Sequence, residues 1–375
     1  MKIGQIPHLY LPHLGGIENY VHRLKNSLKK RGHEVTVYTT DLSIRGITDR
    51  EKNTFYCKTD FVLKRNPFSS ELFKKLKETH EDVYHLHSPW FFSSLFAAEV
   101  LRERPKIMTV HSAEIRGGGL GTFVLDKLYY LFARRVLRKM DALIALSEGE
   151  KNCILKRFGL PPERVTVIPN GIEIDKFTFD KAAAEKFVTK YHLKEDSFKV
   201  LFVGRLIPQK NPEKLITAIT RYVGGRDVEA ILIGGGASSY IDRLREISDE
   251  RIHILGEVEF GELIAAYHCS DLFVFLGTWE GIPTVILEAM LCGLPIVTTP
   301  VGGIPEVVEE GKNGLFVKLP IDEEDLANKI GHFVNMREAN ITKISRENTR
   351  KIRTHYNWEI VADKILNVYK QVLGM

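Results

Sequence analysis

Residues 198–212 read FKVLFVGRLIPQKNP. The first six form a short, mostly apolar run closed by Gly204, which is the signature of a buried strand. Pro212 then stands where a helix accepts proline best, just inside its start, and Asn211 precedes it as an expected cap. A strand that passes through a short loop into a helix is the repeating unit of a doubly wound α/β domain. Downstream the same alternation continues through EAILIGGG, RIHILG, DLFVFLG, PIVTT and GLFVKL, with helical stretches between them.

Upstream, residues 173–197 are charged and carry a short Ala-Lys helix with no strand. Before that gap lies a second series of strands: KIGQI, EVTVYTT, DVYHLH, KIMTVH, DALIALS and RVTVIPN. Its first helix follows Gly15-Gly16, places Ile17, Val21, Leu24 and Leu28 on one face, and ends at Gly32. Further helices are expected near 70–80, 93–103, 122–139 and 148–158. Short apolar runs alternating with helices imply parallel sheets covered on both faces. The fold class is therefore α/β, with two doubly wound parallel-sheet domains facing across a cleft at the strands' C-terminal ends. The expected boundaries are an N-terminal domain over 1–172 and a C-terminal domain over 173–355. A final helix over 356–375, with Ile360, Ile365, Val368 and Val372 along it, is expected to cross back onto the N-terminal domain.

Bulk composition agrees. A chain of 375 residues is comfortable for two cores, and 44% hydrophobic with 27% charged residues is ordinary for a globular protein. A net charge of +5 permits an anionic partner without identifying one. The four cysteines, Cys57, Cys153, Cys269 and Cys292, form no CxxC clip, so neither zinc nor redox chemistry is suggested. Buried free thiols in a reducing compartment are the expectation, and localisation is read as cytoplasmic. No apolar run approaches ~20 residues, so no membrane span is expected. The opening MKIGQIPHLYLP lacks the continuous apolar core and cleavage site of a signal peptide and reads as a first strand.

Arg205 and Lys210 flank a strand-end loop and a helix N-terminus, where two fixed cations beside free N–H groups suit a diphosphate. The alternative is a pair of solvated loop charges. A second strand-to-helix junction reads WEGIPTVILEAM at 279–290. With Pro283 at the first helical position, Thr284 and Val285 offer unpaired N–H groups. Glu280 then lies in the loop and Glu288 in the second turn, roughly 7–8 Å further along the axis. Two carboxylates bracketing an anion site suit hydroxyl groups, with Glu288 on a ribose and Glu280 on a transferred sugar. Taken singly, each acid also reads as an ordinary surface residue. Gly15-Gly16 would let a ligand approach the backbone, or would simply turn it. His111 ends KIMTVH at the edge where ligands bind, as a functional or a structural histidine. LIGGGA at 232–237 lacks the full dinucleotide spacing and reads as turn and packing residues that can line a nucleotide pocket.

In order along the chain, these signals resemble the family-4 glycosyltransferases, which share the two-Rossmann GT-B fold. The motifs are Gly15-Gly16, His111 in TVHSAE, PNGIE at 169–173, VGRLIPQKN at 203–211, LGEVEFGELIAAYHCSD at 255–271, WEGIPTVILEA, and TPVGGIPEVVEEGKNGLFV at 299–317. The resemblance implies a retaining hexosyltransferase that moves a sugar from a nucleotide-sugar donor to an acceptor hydroxyl, with no metal and no cofactor. UDP- or GDP-sugars are the implied donors. Arg205 and Lys210 match the diphosphate pair, Glu288 the ribose ligand and Glu280 the sugar ligand. Gly281, Thr284 and Val285 fall in the donor loop, and Val258 matches a contact to the base. Gly16 would meet the diphosphate, Gly15 beside it falls among the donor-binding residues, and His111 would hold a sugar hydroxyl. Pro283 stands where some relatives carry glycine, and Trp279 where a small polar residue is common. The departing diphosphate would be stabilised by Arg205, Lys210 and a helix N-terminus, and would itself take the acceptor's proton.

Alternatives are a nucleotide-sugar epimerase or a hydrolase using Glu280 and Glu288, or a non-catalytic nucleotide-sugar-binding protein. A dinucleotide oxidoreductase fits least, since neither domain opens with GxGxxG. The implied partners are the donor and a glycan or lipid-linked acceptor, with no nucleic acid. Arg134, Arg135, Arg138 and Lys139, with Lys29, Lys30 and Arg31, suggest peripheral contact with anionic lipid on the cytoplasmic face. Cations complementing helix C-termini explain them equally.

Overall fold

The computed structural model of the chain describes residues 1–13, 15–44, 51–63, 66–112, 130–224, 227–278 and 281–375. Trp279 and Glu280, and residues 113–129, which include the first part of the helix expected over 122–139, lie outside these. The chain divides into two compact units, Met1–Asn170 with Trp358–Met375, and Gly171–Asn357.

The first unit holds strands β1 (Lys2–Ile6), β2 (Glu34–Thr40), β3 (Thr54–Cys57), β4 (Phe61–Leu63), β5 (Asn66–Phe68), β6 (Val83–His87), β7 (Lys106–Val110), β8 (Ala142–Ala145) and β9 (Val165–Val167). Its helices are α1 (Gly16–Lys30), α2 (Ser70–Glu78), α3 (Phe92–Val100), α4 (described over 130–138), α5 (Glu148–Phe158) and the last helix of the chain, Trp358–Leu373. Seven strands form one parallel sheet in the order β3-β2-β1-β6-β7-β8-β9. The order reverses between β1 and β6, the place where open α/β sheets form a crevice beyond the strands' C-terminal ends.

Strand periodicity divides this sheet into two apolar faces. Leu86, Met108, Val110 and Leu143 face α2, α3 and α5, whereas Ile3, Val37, Val83, Ile107 and Ile144 face α1 and the last helix. The last helix buries Trp358, Val361, Ile365, Val368 and Tyr369, and Val372 packs against the same core. The expected stripe thus holds at Ile365, Val368 and Val372 and is joined by Trp358, Val361 and Tyr369, while Ile360 is only half-buried. Its Glu359 and Asp363 pair with Arg31, both at 2.7 Å. Arg31 therefore serves packing within this unit. Beyond the sequence expectation, β3 extends the sheet edge, and β4 and β5 form an antiparallel hairpin. These runs of three or four residues are too short to show a period.

The second unit holds β10 (Phe198–Val203), β11 (Val228–Ile233), β12 (Ile252–Gly256), β13 (Leu272–Phe275), β14 (Ile296–Thr298) and β15 (Gly314–Phe316). Its helices are α6 (Lys181–Lys190), α7 (Pro212–Thr217), α8 (Ser238–Glu246), α9 (Phe260–His268), α10 (Thr284–Leu291), α11 (Ile304–Val307), α12 (Glu323–Val334) and α13 (Glu338–His355); Trp358–Leu373 is thus α14. The sheet is parallel, ordered β12-β11-β10-β13-β14-β15, and reverses between β10 and β13. Leu201, Val203, Ile231, Phe273 and Phe275 pack against α9 and α10, and Val200, Phe202, Leu232 and Val274 against α7 and α12. Each fully buried aliphatic side chain contributes about 1.5–3 kcal/mol.

Candidate functional site

In the second unit, the loops after β10 and β13 meet at the point of strand reversal. The Thr278 amide donates to the Gln209 carbonyl at 3.2 Å, and the Asn211 side-chain amide donates to the Leu276 carbonyl at 2.7 Å. Asn211 is thus not the expected side-chain cap of α7. It adopts a left-handed conformation (φ 51°), which asparagine tolerates, and its side chain ties the two loops together.

Arg205 is exposed on this loop, while Lys210 is half-buried with its Nζ 4.9 Å from the centre of the Phe275 ring. Burial, with the nearby Arg205 charge, pulls the Lys210 ammonium down from 10.5 to about 8. Two cations that raise each other's energy on a strand-end loop create a local demand for negative charge.

The neighbouring loops close the floor. Leu206 N donates to Gly235 O at 2.8 Å, and Gly234 N to Gly256 O at 2.8 Å, so the loops after β10, β11 and β12 lie side by side. A Cβ on Gly234 would overlap the Gly204 carbonyl oxygen, and its φ of 142° also favours glycine. Val258 is half-buried on the loop after β12.

The α10 helix begins at Thr284. Pro283 precedes it as cap residue with ψ 130°, one position earlier in the helix frame than the sequence suggested. Proline's fixed φ suits either position, and only ψ distinguishes them. No side chain caps this end. Thr284 and Val285 are consequently the first two helical residues, whose N–H groups have no intrahelical acceptor. Gly281 is exposed, and its carbonyl accepts from Gly303 N at 3.0 Å, fixing the loop entering α10. Glu288 is half-buried in the second turn and accepts a 3.0 Å hydrogen bond from the hydroxyl of buried Tyr267 on α9. Burial, reinforced by that carboxylate, holds the Tyr267 hydroxyl well above its ordinary range. Glu280 lies outside the described residues.

In the first unit, β7 ends at Val110, and His111 is the next residue, half-buried, with its amide donating to Ser88 Oγ at 3.2 Å. Its Nε2 lies 3.2 Å from His87 Nδ1, and the Tyr20 ring of α1 meets it edge-on at 4.9 Å. Gly15 caps α1 in an extended conformation, and a Cβ there would overlap the Glu18 carboxylate; Gly16 has open space around its Cα. Glu18 is buried in the first turn of α1, 3.5 Å from His13 Nδ1 and 3.8 Å from His8 Nε2. Burial raises its pKa, opposed by its own backbone amide and His13.

The sequence reading missed Tyr267, Glu18 and a buried polar stripe on the face that β1, β6 and β7 turn toward α1 and α14. Gln5 pairs in register with His85, and His87 with Thr109, so all four share that face. His87 Nε2 lies 2.8 Å from Gln5 Oε1, Gln5 Nε2 lies 3.1 Å from Tyr369 Oη, and His85 lies 2.7 Å from both Tyr369 Oη and Thr109 Oγ1. The visible signal was HLH at 85–87, two histidines two apart inside an apolar strand. Among the described residues no cluster of three or more metal-ligating side chains occurs, and no helix is long and apolar enough to cross a membrane.

Residues 14–176 match the family described as Glycosyltransferase Family 4, and residues 184–352 match Glycosyl transferases group 1. The chain is 26% identical to an uncharacterized glycosyltransferase of Methanocaldococcus jannaschii, over all of this chain and 99% of that one. It is 25% identical to a D-inositol 3-phosphate glycosyltransferase of Mycobacteroides abscessus, over 96% and 85% of the two chains. Among solved structures, Anabaena Alr3699/HepE in complex with UDP superposes with a TM-score of 0.82 at 20% identity, covering 99% of this chain and all of that one. The lipopolysaccharide glycosyltransferase WaaG superposes at 0.74 with 18% identity, covering both chains fully. These likenesses establish the GT-B type of fold.

Proposed function

We propose that this chain, which belongs to the family-4 glycosyltransferases, transfers a hexose from a nucleotide-sugar donor to an acceptor hydroxyl. The observation that carries the reading is the pair Arg205 and Lys210 on the loop after β10, with Lys210 depressed to about 8 by burial and its cationic neighbour. A diphosphate there restores the lysine's charge and gains two charge-assisted partners. Glu288, steadied by Tyr267, takes the ribose, while Thr284 and Val285 offer their N–H groups. Val258 borders the base, and Gly281 and Glu280 approach the sugar. On the first unit, Gly15 and Gly16 are assigned to the donor and His111 to a sugar hydroxyl. The Anabaena HepE structures hold UDP and UDP-glucose, which supports a uridine donor.

Bond cleavage leaves growing negative charge on the nucleoside diphosphate. Arg205, Lys210 and the α10 N-terminus stabilise it without a metal or cofactor, a class of effect worth about 3–4 kcal/mol per well-placed donor group. The departing phosphate oxygen takes the acceptor's proton on the face it leaves, so the configuration is retained. The acceptor is a glycan or a lipid-linked hydroxyl, reached from the cytoplasmic face. Exposed Leu131 and Phe132 beside Arg135 support peripheral contact of this protein with anionic lipid.

The test is calorimetric titration of UDP, GDP, UDP-glucose and GDP-mannose into the protein and into Arg205→Ala and Lys210→Ala. One or two donors are expected to bind, and each variant should weaken them at least tenfold. Equal binding by parent and variants would remove the assigned diphosphate site. Proton NMR of the product with excess chelator present reads the anomeric configuration and the metal requirement together.

A further inference from the structure

Six buried or half-buried polar side chains of the first unit are joined end to end: His111, His87, Gln5, Tyr369, His85 and Thr109. Imidazoles and hydroxyls can each donate or accept, so the direction of such a chain is set by any member whose donor and acceptor atoms differ chemically. Gln5 is that member. Its oxygen faces His87 and its nitrogen faces Tyr369.

We infer that Gln5, acting through His87, holds His111 as the Nε2–H tautomer and leaves the His111 Nδ1 lone pair as the group offered to a bound molecule. Gln5 Oε1 only accepts, so His87 Nε2 carries a proton and donates to it. A neutral His87 then has a bare Nδ1, which must accept from His111 Nε2–H across 3.2 Å. A neutral His111 is therefore bare at Nδ1, for which the structure records no hydrogen-bond partner among the described residues. In the other direction, Gln5 Nε2 donates to Tyr369 Oη, whose own proton goes to His85 Nδ1 across 2.7 Å. His85 Nε2–H then donates to Thr109 Oγ1. All three histidines thus share one tautomer.

Neutrality is supported separately. Burial, reinforced by neighbouring histidines, holds His85 and His111 at about 3 and His87 well below its ordinary value. No carboxylate hydrogen-bonds to any of the three among the described residues.

The consequence for chemistry rests on the proposed function, in which His111 meets the transferred sugar. A bare Nδ1 accepts a hydrogen bond from a sugar hydroxyl; an Nδ1–H would repel the same proton. His87 and Gln5 are positioning residues, acting through His111.

The experiment is two-bond nitrogen–proton NMR of imidazole-labelled protein, with His111 assigned by its disappearance in His111→Gln. His85, His87 and His111 are all expected as Nε2–H with bare Nδ1. Nδ1–H on His111, which would mean that the whole chain runs the other way, overturns the inference. In His87→Leu, His111 should show both tautomers, and UDP release from UDP-glucose should fall about 10- to 100-fold in kcat with little change in KM. His87→Asn, whose side-chain oxygen can stand in for Nδ1, should restore both. A His87→Leu protein that keeps one tautomer and full turnover overturns the inference; if that variant does not fold, the parent spectrum decides alone. Should the parent turn over donor with His111 as Nδ1–H, the inference fails and the transferase reading survives. If the tautomers are as derived and no donor binds, the transferase reading fails instead.

Discussion

Lys210 provides a prediction with both a sign and a size. In the free protein its ammonium is pulled from 10.5 to about 8, first by burial and then by Arg205. A bound diphosphate brings negative charge to both cations and raises that value again. Binding must therefore draw in protons wherever free Lys210 has lost its own. At pH 7 the uptake per UDP bound is about 0.1 proton, and at pH 8.5 it rises to about 0.8. The same linkage weakens UDP affinity as pH climbs through 8, approaching tenfold per pH unit until the bound form also titrates. Stability in the absence of ligand moves oppositely. Between pH 8 and 10.5 the unfolded chain holds the Lys210 proton that the folded one has released, so this group alone makes the fold more stable as pH rises.

Calorimetry in two buffers of different ionisation enthalpy, repeated from pH 7 to 9.5, reads the uptake directly. Lys210→Arg keeps a cation that stays charged throughout, so its uptake should vanish and its affinity should stay flat across the range. An affinity in the parent that does not change between pH 7 and 9.5, or an unchanged uptake in Lys210→Arg, would refute the assignment of Lys210 to the diphosphate.

Three further outcomes are expected. Tyr267→Phe removes a hydrogen bond to a carboxylate, a loss of about 1.5–3 kcal/mol, and should appear as a lower melting temperature together with weaker UDP binding; a loss of stability alone would separate Glu288 from the ribose. Gly234→Ala drives a methyl into the Gly204 carbonyl at a φ of 142° and should destabilise by about 2 kcal/mol or more in denaturant titration. Replacing Arg134, Arg135, Arg138 and Lys139 together by glutamine should abolish sedimentation with phosphatidylserine vesicles while leaving UDP binding intact, and a parent protein that never sediments would end the membrane reading.

Apart from β3, β4 and β5, the strands of both units were legible because each is a short apolar run bounded by glycine, proline or a charged loop, as in FKVLFVG or DLFVFLG. The loop that carries Arg205 and Lys210 and the helix start at Thr284 were legible for the same reason, since a strand end and a helix start fix what lies between them. Asn211 was misread because its side chain answers to a partner 65 positions away, Leu276, and not to the helix it precedes. Tyr267 was invisible for the same cause: nothing in AAYHCSD marks one tyrosine as the support of a carboxylate on another helix.

The histidine stripe shows where sequence reading stops and why. Period two places His85 and His87 on one face of β6, and that much is local. What makes them chemically definite is Gln5, 82 positions from His87, and Tyr369, 284 positions from His85. A polar group inside a sheet covered on both sides is out of reach of bulk solvent and must find its partners in the fold. The stripe meets that demand. Nearby Thr39 Oγ1 and Trp358 Nε1 are buried without a hydrogen-bond partner, yet none of the ring nitrogens of His85 or His87 is. Deleting any one member therefore leaves its neighbour orphaned, at about 1–3 kcal/mol for each buried donor or acceptor. A network with that property carries direction as well as stability, since each proton's place is fixed by the next, and the one amide in it, Gln5, decides which side of His111 is bare.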